Sequence, residues 1–161
     1  MIFIGIDPGL EGAIAVLDDQ GELVGVQDTP TLTVEGGTKT KRLYNLPAIV
    51  SMVSMCPAGQ CRAALEQVHA MPDQGIVGAF SFGQGFGNWQ GILAALHVPV
   101  HEVPPQTWKK AMMNGMGKDK DASRLRVLQL YPSASEQVSL KKHHGRADAI
   151  LIARWLWTTQ R

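Results

Sequence analysis

Cysteine is scarce in this chain: Cys56 and Cys61 are the only two. That is too few for a disulfide framework or a cysteine-rich zinc site, so packing must hold the core and a reducing compartment is expected. Charged residues reach only 18%, against a usual ~25%, which argues against a disordered tail or a coiled coil. No apolar run approaches the ~18 residues of a membrane span. The opening residues, Met1-Ile2-Phe3-Ile4-Gly5-Ile6-Asp7, lack the basic segment of a secretory leader. These absences point to a soluble protein without a membrane partner.

What is present suffices for one domain. The 161 residues, 45% of them hydrophobic, fit a single unit at roughly 100–200 residues per domain, and we expect residues 1–161 to fold as one. Net charge is only +1, yet it is unevenly spread. Residues 1–100 carry four Lys/Arg against nine Asp/Glu, and residues 101–161 carry eleven against five. Random scatter is one reading; an acidic centre beside a polyanion-binding surface is the other.

Ile2–Asp7 reads as a buried strand ended by Pro8-Gly9. Gly12–Leu17 and Leu23–Val26 flank Asp18-Asp19-Gln20-Gly21, a hairpin signal. Residues 29–42 show no periodicity and are expected to form a mobile surface loop. Asn45 can cap a helix to about Met55, and Arg62–Val68 reads as a fourth strand. Residues 76–97 look helical despite five glycines, each costing about 1 kcal/mol relative to alanine, which suggests close packing on a neighbour or a second subunit. A fifth strand at Val98–Val103 is followed by helices near Gln106–Met113, Lys120–Leu130 and Gly145–Trp157. The expected class is α/β, a mixed five-stranded sheet with its first three strands antiparallel and helices on both faces.

Asp7 ends the first strand, Glu66 lies in the fourth, and Asp148 sits in the first turns of the last helix. Singly, each has a modest explanation: a turn cap for Asp7, a dipole contact for Asp148. If the first and fourth strands are neighbours, Asp7 and Glu66 converge at one end of the sheet and the last helix can bring Asp148 over them. Three carboxylates together repel one another unless divalent cations lie between them, and oxygen ligands select hard ions such as Mg²⁺ or Mn²⁺. Two such ions can activate a water and stabilise the leaving oxygen of a phosphodiester.

Gly5-Ile6-Asp7-Pro8-Gly9, Leu65-Glu66-Gln67-Val68 and His144-Gly145-Arg146-Ala147-Asp148-Ala149-Ile150-Leu151-Ile152-Ala153 together resemble the RuvC-type Holliday junction resolvases, in their phage and bacterial RuvC-like branch. The resemblance implies an RNase H-like fold and a homodimer that nicks opposing strands of four-way junction DNA. It also implies two metal ions per active site and a cytoplasmic location in a bacterial or phage-infected cell, an organelle being the alternative. Asp7, Glu66 and Asp148 become metal ligands. The family's fourth ligand lies three positions before the last aspartate, where this chain has Gly145. His144, on the Asp148 face of the helix, is the expected substitute; a helix cap or a DNA contact are its simpler roles, and His143 is the alternative. Two lysines eleven residues apart face the scissile phosphate in the family, a spacing kept by Lys109 and Lys120, with Lys110 and Lys118 nearby. Arg146 is a further candidate DNA contact. The family often has an aromatic ring three residues past the catalytic glutamate, stacking on junction bases; here that position is His69, whose imidazole can also stack. A relaxed branched-DNA or RNA-processing nuclease, or a non-catalytic junction-binding dimer, are the rival readings.

If these lysines meet phosphate, Lys109→Ala with Lys120→Ala will flatten the log–log salt dependence of junction binding by about 0.9 for each phosphate no longer neutralised. Filter binding over a salt series measures this, and an unchanged slope would remove the lysines from the backbone.

Overall fold

A computed structural model describes residues 1–36, 39–57, 59–69, 75–117, 119 and 121–160. Its centre is β1 (Ile2–Asp7), paired antiparallel to β2 (Ala13–Leu17) on one side and parallel to β6 (Cys61–Glu66) on the other. Outside these lie β3 (Leu23–Asp28), antiparallel to β2, and β7 (Val100–Val103), parallel to β6. The five-stranded order is β3-β2-β1-β6-β7. This is the mixed sheet expected from the sequence.

The period-two alternation of a strand sorts β1 into two faces. Ile4 and Ile6 point to α1 (Leu46–Ser54) and α2 (Ile76–Ala95), where they join Ile49, Val53, Leu65, Trp89 and Leu93. Phe3 points the other way, into a core with Leu17, Ala64, Trp108, Val127 and the buried face of α5 (His144–Thr159). Trp108 belongs to α3 (Pro105–Met112) and Val127 to α4 (Ala122–Leu130). Helices thus cover both faces. Asp7 shares the parity of Phe3 and Gly5, and Glu66 that of Ala64, so both acids belong to the face that α5 covers. The last paired rung is Ile6 with Leu65, which leaves Asp7 and Glu66 side by side at the strand ends.

α5 lies unusually close to β1. A Cβ at Gly5 would collide with the Ala149 carbonyl oxygen and the Ala153 amide, and would stand 2.8 Å from the Ala153 Cα. Helix and strand backbones therefore touch, with only alanines on the helix side. α1 begins as expected, with Asn45 Oδ1 accepting the Ala48 N–H at 3.2 Å.

Residues 29–42 overturn the expectation of a mobile loop. They contribute to a second, two-stranded sheet of β4 (Thr31–Gly36) and β5 (Lys39–Tyr44), in register from Thr31 with Tyr44 to Gly36 with Lys39. Opposite residues share a face, and Leu32, Val34 and Leu43 are exposed, so no buried stripe announces these strands. Their threonines, valine and tyrosine were the available signal. The opposite face grips the turn after Asp7. Arg42 pairs with Glu11 and donates to the Leu10 carbonyl at 2.6 Å, while the Tyr44 hydroxyl donates to the Pro8 carbonyl at 3.0 Å.

The glycines of α2 divide between two roles. Gly85 is buried, and a Cβ there would collide with the Tyr44 hydroxyl. Gly83, Gly87 and Gly91 face open space on a helix with no charged residue over its 20 positions.

The contact at Gly5 generates an expectation. Gly5→Val must separate α5 from β1 at an overpacking cost of about 2–3 kcal/mol, which lowers the melting temperature by roughly 5–10 °C. A thermal melt followed by circular dichroism reads this, and unchanged melting would refute the backbone contact.

Candidate active site

Each acid is held by a different device. Pro8-Gly9 turns the chain sharply after β1, and Asp7 Oδ1 accepts the Gly9 N–H at 3.2 Å. Glu66, at the end of β6, accepts the indole Nε1–H of Trp108 on Oε1 at 2.8 Å. Asp148 enters from the second turn of α5. Its Oδ1 is buried and has no hydrogen-bond partner among the described residues.

Burial dominates the electrostatics. Desolvation pushes the Asp7 carboxyl up from 3.8 to about 6; the Gly9 N–H opposes this, the Asp148 charge adds to it, and Lys109 opposes it. Desolvation likewise raises Glu66 from 4.5 to about 7, against the Trp108 hydrogen bond, with Asp7 raising it further. Asp148 is raised by burial, while Ser123, Lys109 and His144 pull it down. Each acid feels the same lysine, and Asp148 contributes to the field at both of the others. They occupy one site.

A cleft of about 530 Å³ opens beside Asp148, bordered by Lys109, Ser123, Lys141 and His144 and by Asp119 and Asp121. His144 is exposed at the first position of α5, four residues before Asp148 and on its side. His143 is buried and faces elsewhere: its Nδ1 accepts the Leu140 N–H at 3.3 Å, and burial lowers its pKa. Gly145 has a steric reason to be glycine. A Cβ there would collide with the Glu11 carbonyl oxygen and stand 3.0 Å from the Gly12 Cα. No side chain, acidic or otherwise, fits at position 145.

The basic candidates fall into three groups. Lys109 is exposed at the cluster, with Nζ 5.1 Å from the Trp108 ring centroid, and Lys110 is exposed beside it on α3. Lys118 and Lys120 lie outside the described residues. Arg146 is turned away from the cluster: Nε and one terminal nitrogen grip both Asp28 oxygens at 2.6 and 2.7 Å, and the other donates to the Gln137 carbonyl at 3.1 Å. Its guanidinium is committed to anchoring the start of α5. His69 is exposed three residues past Glu66.

Sequence reasoning passed over Trp108, Ser123, Asp119, Asp121 and Lys141. Trp108 had a local signal, a large amphipathic residue directly before Lys109. Asp121 and Ser123 reach the cleft because α4 packs against α5, and Lys141 lies in the turn just before α5.

Among the described residues, no group of three or more His, Cys, Asp or Glu is arranged to hold a metal ion, so the acids do not form a closed cage. Their chemistry nonetheless suits a hard cation. The donors are carboxylate oxygens with one imidazole at the rim, burial raises the pKa values of two of the carboxyls toward neutral pH, and one buried oxygen of Asp148 lacks a partner among the described residues.

No protein-family model matches the chain. Over 134 residues it is 29% identical to the chloroplastic Holliday junction resolvase MOC1 of Chlamydomonas reinhardtii, a match covering 76% of this chain. The chain spans only 15% of that relative's length. RuvC of Thermus thermophilus, solved in complex with a Holliday junction substrate, superposes with a TM-score of 0.62 at 17% identity, covering 99% of this chain and 95% of that one. A second structure of Thermus thermophilus RuvC gives 0.54 at 19% identity, covering 99% and 96%. The fold is that of RuvC. The likeness first carried by three motifs is accompanied by a sequence match over 134 residues to a Holliday junction resolvase and by the RuvC fold.

The raised acids dictate a pH dependence. A carboxyl whose folded pKa exceeds its unfolded value binds more protons in the folded state, so stability falls as pH rises between the two. For Asp7 that window runs from about 3.8 to about 6, and for Glu66 from about 4.5 to about 7. Chelator-treated protein is therefore expected to lose stability between pH 5 and pH 8, Asp7 accounting for on the order of 1 kcal/mol over that span, since the lower part of its window lies below pH 5. Adding Mg²⁺ at pH 8 should restore it. Thermal melts across pH with and without the ion measure both effects, and a melting temperature that climbs with pH would reverse the assignment.

Proposed function

We propose that this chain is a Holliday junction resolvase, a metal-dependent endonuclease that makes paired symmetric nicks in four-way DNA. One observation carries the reading. Two acids at adjacent strand ends and a third from α5 share a buried site with one lysine, in a chain with the RuvC fold.

In this reading Asp7, Glu66, Asp148 and His144 hold Mg²⁺ or Mn²⁺, with two ions per site. When bound, such ions supply a nucleophilic water at neutral pH and charge stabilisation for the leaving oxygen. The protein's own groups do the rest. Gly9 and Trp108 fix one oxygen each of Asp7 and Glu66. Lys109, set at the rim by α3, offsets the charge on the scissile phosphate, with Lys110, Lys118, Lys120 and Lys141 as further backbone contacts. His69 is the candidate for stacking on an unpaired base. Arg146, already bonded to Asp28 and Gln137, orients α5 instead of touching DNA.

Paired nicks need two sites, and the reading includes a homodimer. The open, uncharged face of α2 supports it: Gly83, Gly87 and Gly91 leave room for a close helix approach, with Phe80 exposed beside them. Among the described residues no helix is long and apolar enough to cross a membrane. Residues 1–161 act as one nuclease domain in this scheme, in the cytoplasm or an organelle.

A synthetic four-way junction with Mg²⁺ should yield symmetric nicks, and flap, duplex and RNA-hybrid substrates much less. Asp7→Asn should cut the rate about a thousandfold or more, the loss of several kcal/mol of transition-state stabilisation at ~1.4 kcal/mol per tenfold, with junction binding retained. His144→Ala should slow cleavage and His144→Asp recover part of it, whereas His143→Ala should act on stability. A junction shifted in mobility but never nicked would make the chain a binding module. Equal cutting of flaps or RNA hybrids would make it a relaxed nuclease.

A further inference from the structure

Trp108 is placed to do more than fill the core. Its ring is fully buried under α5. A phenylalanine could occupy most of that space, but the indole adds one N–H donor and no acceptor. That donor is spent on Glu66 Oε1 at 2.8 Å. The same ring carries the Lys109 ammonium 5.1 Å from its centroid. One rigid side chain thus touches both an acid and the cation of the site. The pairing is not a by-product of burying an indole, because Trp89 Nε1 is buried with no hydrogen-bond partner among the described residues.

A glutamate has three rotatable bonds, so its carboxylate occupies one orientation only if something holds it. Lys109, on a long flexible stem, has the same need. Both come from elements that Trp108 joins, the end of β6 and the exposed edge of α3. We propose that Trp108 is a positioning residue for the nuclease reaction: its indole N–H pins one oxygen of Glu66, leaving the second to serve a cation, while its ring face steadies Lys109. This rests on the resolvase reading of the site. Partners that fix the orientation of a metal-binding side chain typically change metal affinity or activity about 10–100-fold when removed.

Trp108→Phe keeps a ring and deletes the donor. The cleavage rate at saturating junction should fall roughly tenfold to a hundredfold, and the Mg²⁺ concentration for half-maximal rate should rise, while junction affinity without the ion stays unchanged. A purely structural role would instead lower melting temperature and junction affinity together at an unaltered Mg²⁺ requirement, and that result overturns the proposal. A second measurement covers a variant that fails to fold. In ¹⁵N-labelled protein the Trp108 indole resonance should move upfield in Glu66→Gln, where a neutral amide replaces the carboxylate, and should shift on Mg²⁺ titration of the parent. The indoles of Trp89, Trp155 and Trp157 should stay in place. A Trp108 resonance unmoved by Glu66→Gln ends the proposal whatever the cleavage assay gives. If that resonance responds to Mg²⁺ but no junction is nicked, the resolvase reading fails and the tie between Trp108 and Glu66 stands.

Discussion

At Gly5 the last helix rests directly on the backbone of the central strand, and the site depends on that contact. The Ala149 carbonyl and the Ala153 amide occupy the space where a Cβ would stand. Because a helix advances only ~1.5 Å per residue, a helix seated this closely has little freedom to slide. Asp148, one residue before Ala149, is thereby delivered to the strand ends that carry Asp7 and Glu66. Gly145 makes a second seat one turn earlier, against the Glu11 carbonyl oxygen. Two glycines, one in the strand and one in the helix, fix the height and the phase of α5.

The cluster assembled in this way opposes folding. Burial raises all three carboxyls, and their like charges add to the cost. What offsets it is distributed: the Gly9 N–H on Asp7, the Trp108 indole on Glu66, Ser123 at Asp148, and Lys109 acting on all three. The apolar core on both sheet faces supplies the remainder. A site of this kind is stable only as part of a well-packed domain, and it is tuned to accept positive charge.

The excess of cations in residues 101–161 divides by chemistry. Arg124 donates to the Val138 and Ser139 carbonyls, Arg126 to Met112, Arg146 to Gln137 and Arg154 to Gly21. These forked donors pin loops and helix ends. Lys109, Lys110, Lys141 and Lys142 stay exposed. The distinction follows from the side chains, since a planar guanidinium satisfies several fixed acceptors at once while a hydrated ammonium stays mobile and available. Charge counting sees both as one surplus; among the described residues, these lysines are exposed while these arginines are bonded to backbone carbonyls.

The strands of the main sheet, the antiparallel run of the first three and the two acids at strand ends were legible in the sequence, because runs of strand-forming residues and the turns that end them are local properties. That β1 and β6 pair, and that β7 lies outside β6, came from the structure. The placing of His144 toward Asp148 and of His143 away from it also follows from local helix geometry. The β4–β5 ribbon was not legible: its side chains are largely exposed, and its anchors are Pro8, Leu10 and Glu11, more than 30 residues earlier. Nor was the partner of Arg146, an aspartate 118 residues away, or that of Trp108, a glutamate 42 residues away. Sequence alone thus determined the elements and the acids that carry the chemistry, since periodicity and motif act over a few residues. Tertiary structure decided which cations remain free, what orients each acid, and why position 145 is glycine, since those depend on contacts between segments that meet only when the chain is folded.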